Sequence, residues 1–164
     1  MTRSQAFAPI CPPETRLLIL GSLPGVASLA AGRYYAHPRN LFWTLLGPAI
    51  GRAELQLLTY DERLSALAAA RIGLWDAIAS AERHGSLDTA IRAAQLAALL
   101  ELVARLPELR AVAFNGAKAA AVGRGTLAGT TLALIDLPSS SPAYAAMPFA
   151  EKRRRWSALK EFLV

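Results

Sequence analysis

Apolar positions along the chain switch between two periods. Leu17 to Leu20 is a short unbroken apolar run ended by Gly21-Ser22-Leu23-Pro24-Gly25, which predicts a buried strand stopping in a glycine-bounded turn. From Asn40 to Ile50 apolar residues recur at helical spacing, and Asp61 to Arg71 is an Ala/Leu helix pattern. Ile72 to Trp75 predicts a second short strand that closes at Asp76. Ser86 reads as a helix N-cap, with Asp88 in the first turn where the helix dipole favours an acid; that helix is predicted to run to about Leu106 and to stop before Pro107. Ala111 to Phe114 predicts a third strand, turning at Asn115-Gly116 into a small-residue helix from Ala117 to about Val122. Thr131 to Leu137 predicts a fourth. After Pro138, the loop Ser139-Ser140-Ser141-Pro142 leads to a closing helix from about Pro148 to Phe162.

Strands separated by helices predict a parallel sheet covered on both faces. Each predicted strand ends in polar or turn residues: Gly21-Ser22, Asp76, Asn115-Gly116 and Pro138-Ser139. In an open parallel sheet the ligand sits in the crevice beyond the carboxyl ends of the strands, so these four ends are expected to face one site. The aromatic and amide-rich segment from Tyr34 to Trp43 follows the first of them closely, which suits the wall of a pocket.

Composition narrows the class. With 164 residues and 54% hydrophobic content the chain is expected to form one domain over 1–164, with a Pro-rich N-terminal arm over 1–14, rather than to be disordered. No apolar run approaches the roughly 18 residues of a membrane span, and Met1 to Pro13 lacks a signal-peptide pattern. A cytoplasmic protein is the expectation. Cys11 is the sole cysteine and His37 and His84 the sole histidines, which argues against a disulfide or a zinc centre; neither metal nor cofactor is expected. A nucleophilic Cys11 is a minor alternative. The net charge is +6, and 15 of the 18 basic residues are Arg, whose planar fork binds phosphate. The imbalance favours a polyanionic partner, although Arg-rich usage also follows genome composition. The run Lys152-Arg153-Arg154-Arg155 is read as the solvated face of the closing helix.

Six motifs in order carry a resemblance: Gly21-Ser22-Leu23-Pro24-Gly25, Tyr34-Tyr35-Ala36-His37-Pro38-Arg39-Asn40-x-Phe42-Trp43, Gly73-Leu74-Trp75-Asp76, Arg83-x-Gly85-Ser86-Leu87-Asp88, Phe114-Asn115-Gly116-x-Lys118-Ala119, and Leu137-Pro138-Ser139-Ser140-Ser141-Pro142-Ala143. Together they resemble the hypoxanthine-DNA glycosylase, or DNA-deoxyinosine glycosylase, family of the uracil-DNA glycosylase superfamily. The resemblance spans Leu17 to the last helix. It implies a three-layer α/β/α sandwich with a central, mainly parallel four-stranded sheet. It also implies a monofunctional repair enzyme that flips a deaminated base from DNA and hydrolyses its N-glycosidic bond without metal or cofactor. The partner so implied is damaged DNA, met by a monomer at the nucleoid. Uracil or xanthine excision, or a non-catalytic nucleic-acid-binding module, stay open as alternatives. An esterase using Ser22 or Ser139 fits poorly, since no Gly-x-Ser-x-Gly elbow occurs.

Glycosidic cleavage needs donors aimed at a base that becomes anionic, and a positioned water beneath the anomeric carbon. Most members of the superfamily carry an Asp or Asn in the first turn to position that water; here the place is taken by Leu23. The resemblance implies that the role moves to Asn40, whose carbonyl oxygen would orient the water in a dissociative cleavage. From the residues alone, Asn40 reads first as a helix N-cap before Leu41-Phe42-Trp43, a role that can coexist with the other. Gly21, Ser22, Leu23, Tyr35, His37, Asp76 and Asn115 are candidate base contacts. Tyr35 would stack on the flipped base or pack in the core, and His37 would donate to base or phosphate or serve structurally. Asp76 would read a purine edge, act as general base or cap the next helix, and Asn115 would contact the base or shape an Asn-Gly turn. Pro24, Gly25, Arg39, Lys118, Ser139, Ser140, Ser141 and Pro142 are candidate DNA contacts, Ser140 standing where Thr is expected in the family. Phe42 and Trp43 are expected in the core.

Overall fold

The computed structural model describes residues 3–5, 7–82 and 92–163. Strands β2 (Leu17–Gly21), β3 (Ile72–Asp76), β6 (Ala111–Asn115) and β7 (Ala133–Leu137) form one sheet in the order β3-β2-β6-β7, every pair parallel. Strands β2 and β6 are buried at every position, as central strands covered on both faces must be. Successive side chains point to opposite faces. Leu17 and Ile19 therefore join Phe42, Leu46, Leu67, Trp156 and Leu159 in one apolar layer, while Leu18, Leu20, Val112 and Phe114 join Leu99, Leu102 and Leu127 in the other. The first layer is supplied by α2 (Phe42–Ala49), α3 (Tyr60–Ala69) and α6 (Phe149–Trp156) with the 3-10 turn after it, the second by α4 (Leu99–Ala104) and α5 (Ala117–Leu127). The pattern anticipates this parallel sheet covered on both faces, and the family resemblance its three-layer α/β/α form. Thr59 and Glu62 close a reciprocal capping box that starts α3.

Register places the carboxyl ends level. Gly21 pairs with Asp76, and Asn115 with Leu137, so the ends of all four strands lie along one edge of the sheet. A short helix not anticipated from the sequence, α1 (Val26–Ala31), follows the turn after β2.

One predicted element is corrected. The helix expected from Ser86 to Leu106 is replaced over Arg92–Leu96 by strand β5, and among the described residues of that span only Leu99–Ala104 is α-helical. Strand β5 pairs antiparallel with β4 (Ile78–Glu82), which pairs in turn with β1 (Arg3–Gln5). Non-local ladder bonds here override the helix propensity of an Ala/Leu-rich stretch. The expected cap Ser86, its companion Asp88, His84 and the motif around Gly85 lie outside the described residues.

The N-terminal segment is tied to the sheet. Ile10 bridges Leu74, and the Trp75 indole N–H donates to the Phe7 carbonyl at 3.0 Å. Cys11 Sγ packs on Gly73, where an added Cβ would lie 2.7 Å from the sulfur. Burial pushes the Cys11 thiol up to about 12, which removes the thiolate a nucleophilic role requires. No helix among the described residues is long and apolar enough to cross a membrane.

Candidate active site

The level strand ends bring Gly21, Asp76 and Tyr35 together. A Cβ on Gly21 would lie 2.7 Å from Asp76 Oδ1 and 3.1 Å from the Tyr35 hydroxyl, so glycine is required by close approach. The Asp76 side chain is buried at this corner. Tyr35 itself adopts φ 53°, the left-handed region that a bulky residue enters only when its surroundings over-determine it. Those surroundings are visible on both sides. The Tyr34 N–H donates to the Tyr60 hydroxyl at 3.0 Å, the Ala36 N–H to Ser28 Oγ at 3.1 Å, and the Trp43 indole N–H to the Tyr35 carbonyl at 3.2 Å. The Tyr35 ring lies flat on Phe42, which is fully buried. Burial, and secondly the negative charge of Asp76, raise the neighbouring Tyr34 phenol far above its ordinary range; its O–H donates to the Ala8 carbonyl at 3.1 Å. Tyr35 also lines a cavity of about 340 Å³ with Tyr34, Tyr60, Arg33 and Arg63.

The next residues form a turn, closed by the Asn40 N–H donating to the His37 carbonyl at 3.0 Å. His37 Nδ1 accepts from the Arg39 N–H at 3.0 Å, so the neutral ring carries its proton on Nε2. Asn40 Oδ1 accepts two hydrogen bonds, from the Phe42 N–H at 2.9 Å and from the Ser140 hydroxyl at 2.8 Å. The first is a bond across two residues that closes a turn just before α2, whose N-cap position is Leu41 and has no side-chain cap bond, so Asn40 stands one residue before the cap expected of it. The second joins it to the serine loop, where the Ser140 carbonyl also accepts from the Leu41 N–H at 2.9 Å. Behind Ser140 stands Asn115, whose Nδ2 donates to Ser140 Oγ and whose Oδ1 accepts from the Ser140 N–H, both at 2.9 Å. The carbonyl oxygen that the sequence reading assigned to a water is thus already occupied.

Several expected contacts turn inward. Ser140 is 1% exposed with its hydroxyl engaged, so it meets Asn40 and Asn115 rather than a phosphate. Leu23 packs with Ile78 and Val122 and Pro24 is buried, which leaves Gly25 as the more accessible part of that turn. Asn115 is buried, and each end of its amide makes one hydrogen bond to Ser140. Ser22 is also buried. Arg39 and Pro142 are exposed, and Gly25, Lys118, Ser139 and Ser141 are half-buried. The hydroxyls of Ser139 and Ser141 accept from the Ser141 and Ala143 N–H groups, leaving their protons available to donate. Gly116, at φ 101°, seats Ser139 against the start of α5, where an added Cβ would lie 3.2 Å from the serine Cβ. The Arg39 and Lys118 side chains have no ion pair among the described residues.

The basic run on α6 divides in two. Arg153, Arg154 and Arg155 are exposed, the latter two bound to Glu151, as a solvated face requires. Lys152 departs from that reading: it is buried, and its Nζ donates to the Tyr144 carbonyl at 2.6 Å, bracing the far side of the serine loop. The Trp156 indole N–H holds the near side through the Pro138 carbonyl at 3.0 Å. Neither brace had a local signal, since each depends on residues brought together only by the fold.

Comparison with known proteins matches this architecture. A family model described as the uracil DNA glycosylase superfamily matches residues 8–160. A protein from Methanosarcina barkeri named hypoxanthine DNA glycosylase is 43% identical over 116 residues, 71% of this chain and 73% of its own length. One of the same name from Methanosarcina acetivorans is 39% identical over 139 residues, 85% of this chain and 87% of its own. A candidate uracil DNA glycosylase from Methanosarcina acetivorans, solved by solution NMR, superposes with TM-score 0.88 at 35% identity over 99% of both chains.

Proposed function

Because the chain belongs to the uracil DNA glycosylase superfamily, we propose that it extrudes deoxyinosine from DNA and hydrolyses the N-glycosidic bond, leaving an abasic site. The observation that carries the choice of base is the similarity, at 43% and 39% identity, to two proteins named hypoxanthine DNA glycosylase. The corner of the sheet suits it chemically. Hypoxanthine carries an N1–H where adenine carries a bare N1, so a carboxylate acceptor at Asp76 favours the deaminated base and repels its parent. Tyr35 offers a ring to stack on, and His37 a proton on Nε2. Asn40 belongs to the reacting centre.

Arg39, Lys118, the Gly25 amide and the hydroxyls of Ser139 and Ser141 are placed to bind the DNA backbone, which fixes position without reading sequence. Pro142 stiffens that surface. The protein would act as a monomer in the cytoplasm, at the nucleoid.

Uracil is the second reading. Its N3–H presents the same donor to Asp76, and a solved relative is described as a candidate uracil DNA glycosylase. The test is alkali-sensitive scission of end-labelled duplexes carrying a single deoxyinosine, deoxyuridine or deoxyxanthosine, in EDTA, by wild type and Asn40→Ala. Scission at deoxyinosine that the folded variant loses supports the proposal. Scission confined to deoxyuridine moves the substrate to uracil, and none at any lesion leaves a binding module.

A further inference from the structure

We infer that Asn40 acts as a hydrogen-bond donor to the leaving base through Nδ2, and that Ser140, aligned by Asn115, is the positioning residue that holds it in this orientation. The inference rests on the glycosylase reading above.

Two groups that can only donate settle which way each amide faces. The Phe42 backbone N–H meets Asn40 at 2.9 Å, so the atom it meets is the carbonyl oxygen. The Ser140 backbone N–H meets Asn115 at 2.9 Å, so that atom is a carbonyl oxygen too. Asn115 must then turn its NH2 toward Ser140 Oγ, also at 2.9 Å. Having accepted that bond, the hydroxyl directs its single proton to Asn40 Oδ1 at 2.8 Å. The chain runs one way, from Asn115 through Ser140 to Asn40. It ends with both lone pairs of Asn40 Oδ1 occupied. The half-buried Asn40 therefore offers Nδ2, which has no partner among the described residues.

Chemistry assigns a use to that group. As the C1′–N9 bond breaks, its electron pair leaves on the purine, water adds at C1′, and the water's proton ends on the released base. A donor directed at the water oxygen would weaken the nucleophile. Directed at the base, the same donor strengthens as negative charge accumulates, which is the differential stabilisation that catalysis requires.

Asn40→Asp separates donor from acceptor. The carboxylate keeps both acceptor positions, for the Phe42 N–H and the Ser140 hydroxyl, and loses the N–H. Near neutral pH, single-turnover release of hypoxanthine is expected to fall at least about tenfold, approaching the 100-fold typical of a lost transition-state donor. The ratio of variant to wild-type rate should then climb as pH falls, as a growing fraction of the carboxyl, held below its ordinary range by the two bonds it accepts, regains an O–H. A smaller fall, or a gain, overturns the inference, because a carboxylate is the better water acceptor. Should Asn40→Asp fail to fold, judged by its thermal melt, Ser140→Ala against Ser140→Thr decides. Alanine is expected to slow the single-turnover step by about tenfold at saturating enzyme while duplex affinity changes far less, and threonine to restore most of that loss. Equal rates for Ser140→Ala and wild type overturn the positioning role. Failure of the glycosylase reading looks different, since wild type itself would then release no base.

Discussion

Tyr35 and Phe42 stack face to face, their ring centroids 3.8 Å apart and their planes within 6°. A fully buried ring thus supports a half-buried one, and the core is extended to the edge of the proposed site. A base laid on the other face of Tyr35 would continue the pile. Tyr35→Ala should lower single-turnover excision about 5- to 100-fold, the range expected for losing one aromatic platform, and Tyr35→Phe should keep most of the rate. Equal rates for Tyr35→Ala and wild type would remove the ring from the base site.

Gly21→Ala tests the corner of the sheet. The new methyl would sit 2.7 Å from Asp76 Oδ1 and 3.1 Å from the Tyr35 hydroxyl, so one of the two must move. Excision should fall by at least tenfold at a stability cost of about 1–3 kcal/mol, the usual penalty of overpacking. Urea melts and single-turnover rates on the same preparation measure both. Retained activity would show that neither side chain needs its present place.

Cys11 should report unfolding. Its thiol titrates near 12 in the folded protein against an ordinary 9.0, so at neutral and mildly alkaline pH only the unfolded chain gains a thiolate. The thiol therefore contributes stability that is complete below its unfolded pKa and is lost as pH rises toward about 12. Alkylation by iodoacetamide at pH 8 should be slow in native protein and fast in urea. Rapid native labelling would show that the segment bearing Ile10 leaves the sheet.

DNA affinity should fall linearly with salt on logarithmic axes, with a slope of about −0.9 for each phosphate contacted. If Arg39 holds one phosphate, Arg39→Ala should reduce that slope by about one and weaken lesion and undamaged duplexes alike. A fluorescence-anisotropy salt series measures it. A loss restricted to the lesion duplex would instead place Arg39 near the base.

The elements that carry the site were legible where local patterning and the rules of parallel sheets agree. Leu17 to Gly21 is short, apolar and stopped by glycine, and both Asp76 and Asn115 close strands whose register brings them to one edge. Contacts made between distant segments were not legible. Ser140 was visible as a loop hydroxyl, but its bond to Asn40 crosses 100 residues. Strand β5 was hidden because an Ala/Leu-rich stretch satisfies a helical pattern until a partner strand is known. Leu23 as a base contact and Pro24 as a DNA contact follow from the resemblance of their turn to a family motif, while the burial of both, with Leu23 against Ile78, depends on a residue more than fifty positions away.

The bond from the Trp156 indole to the Pro138 carbonyl bears on the order of events during synthesis. Residues made well after Asn40 hold the loop that hydrogen-bonds it. A nascent chain that has exposed only Asn40 and strand β2 holds that amide without the Ser140 hydroxyl that bonds it, and translation must pass Trp156 before the two are braced together. The bracing of the serine loop would then form only after Trp156 has been made, so a chain stopped before it would lack that hold on Ser140.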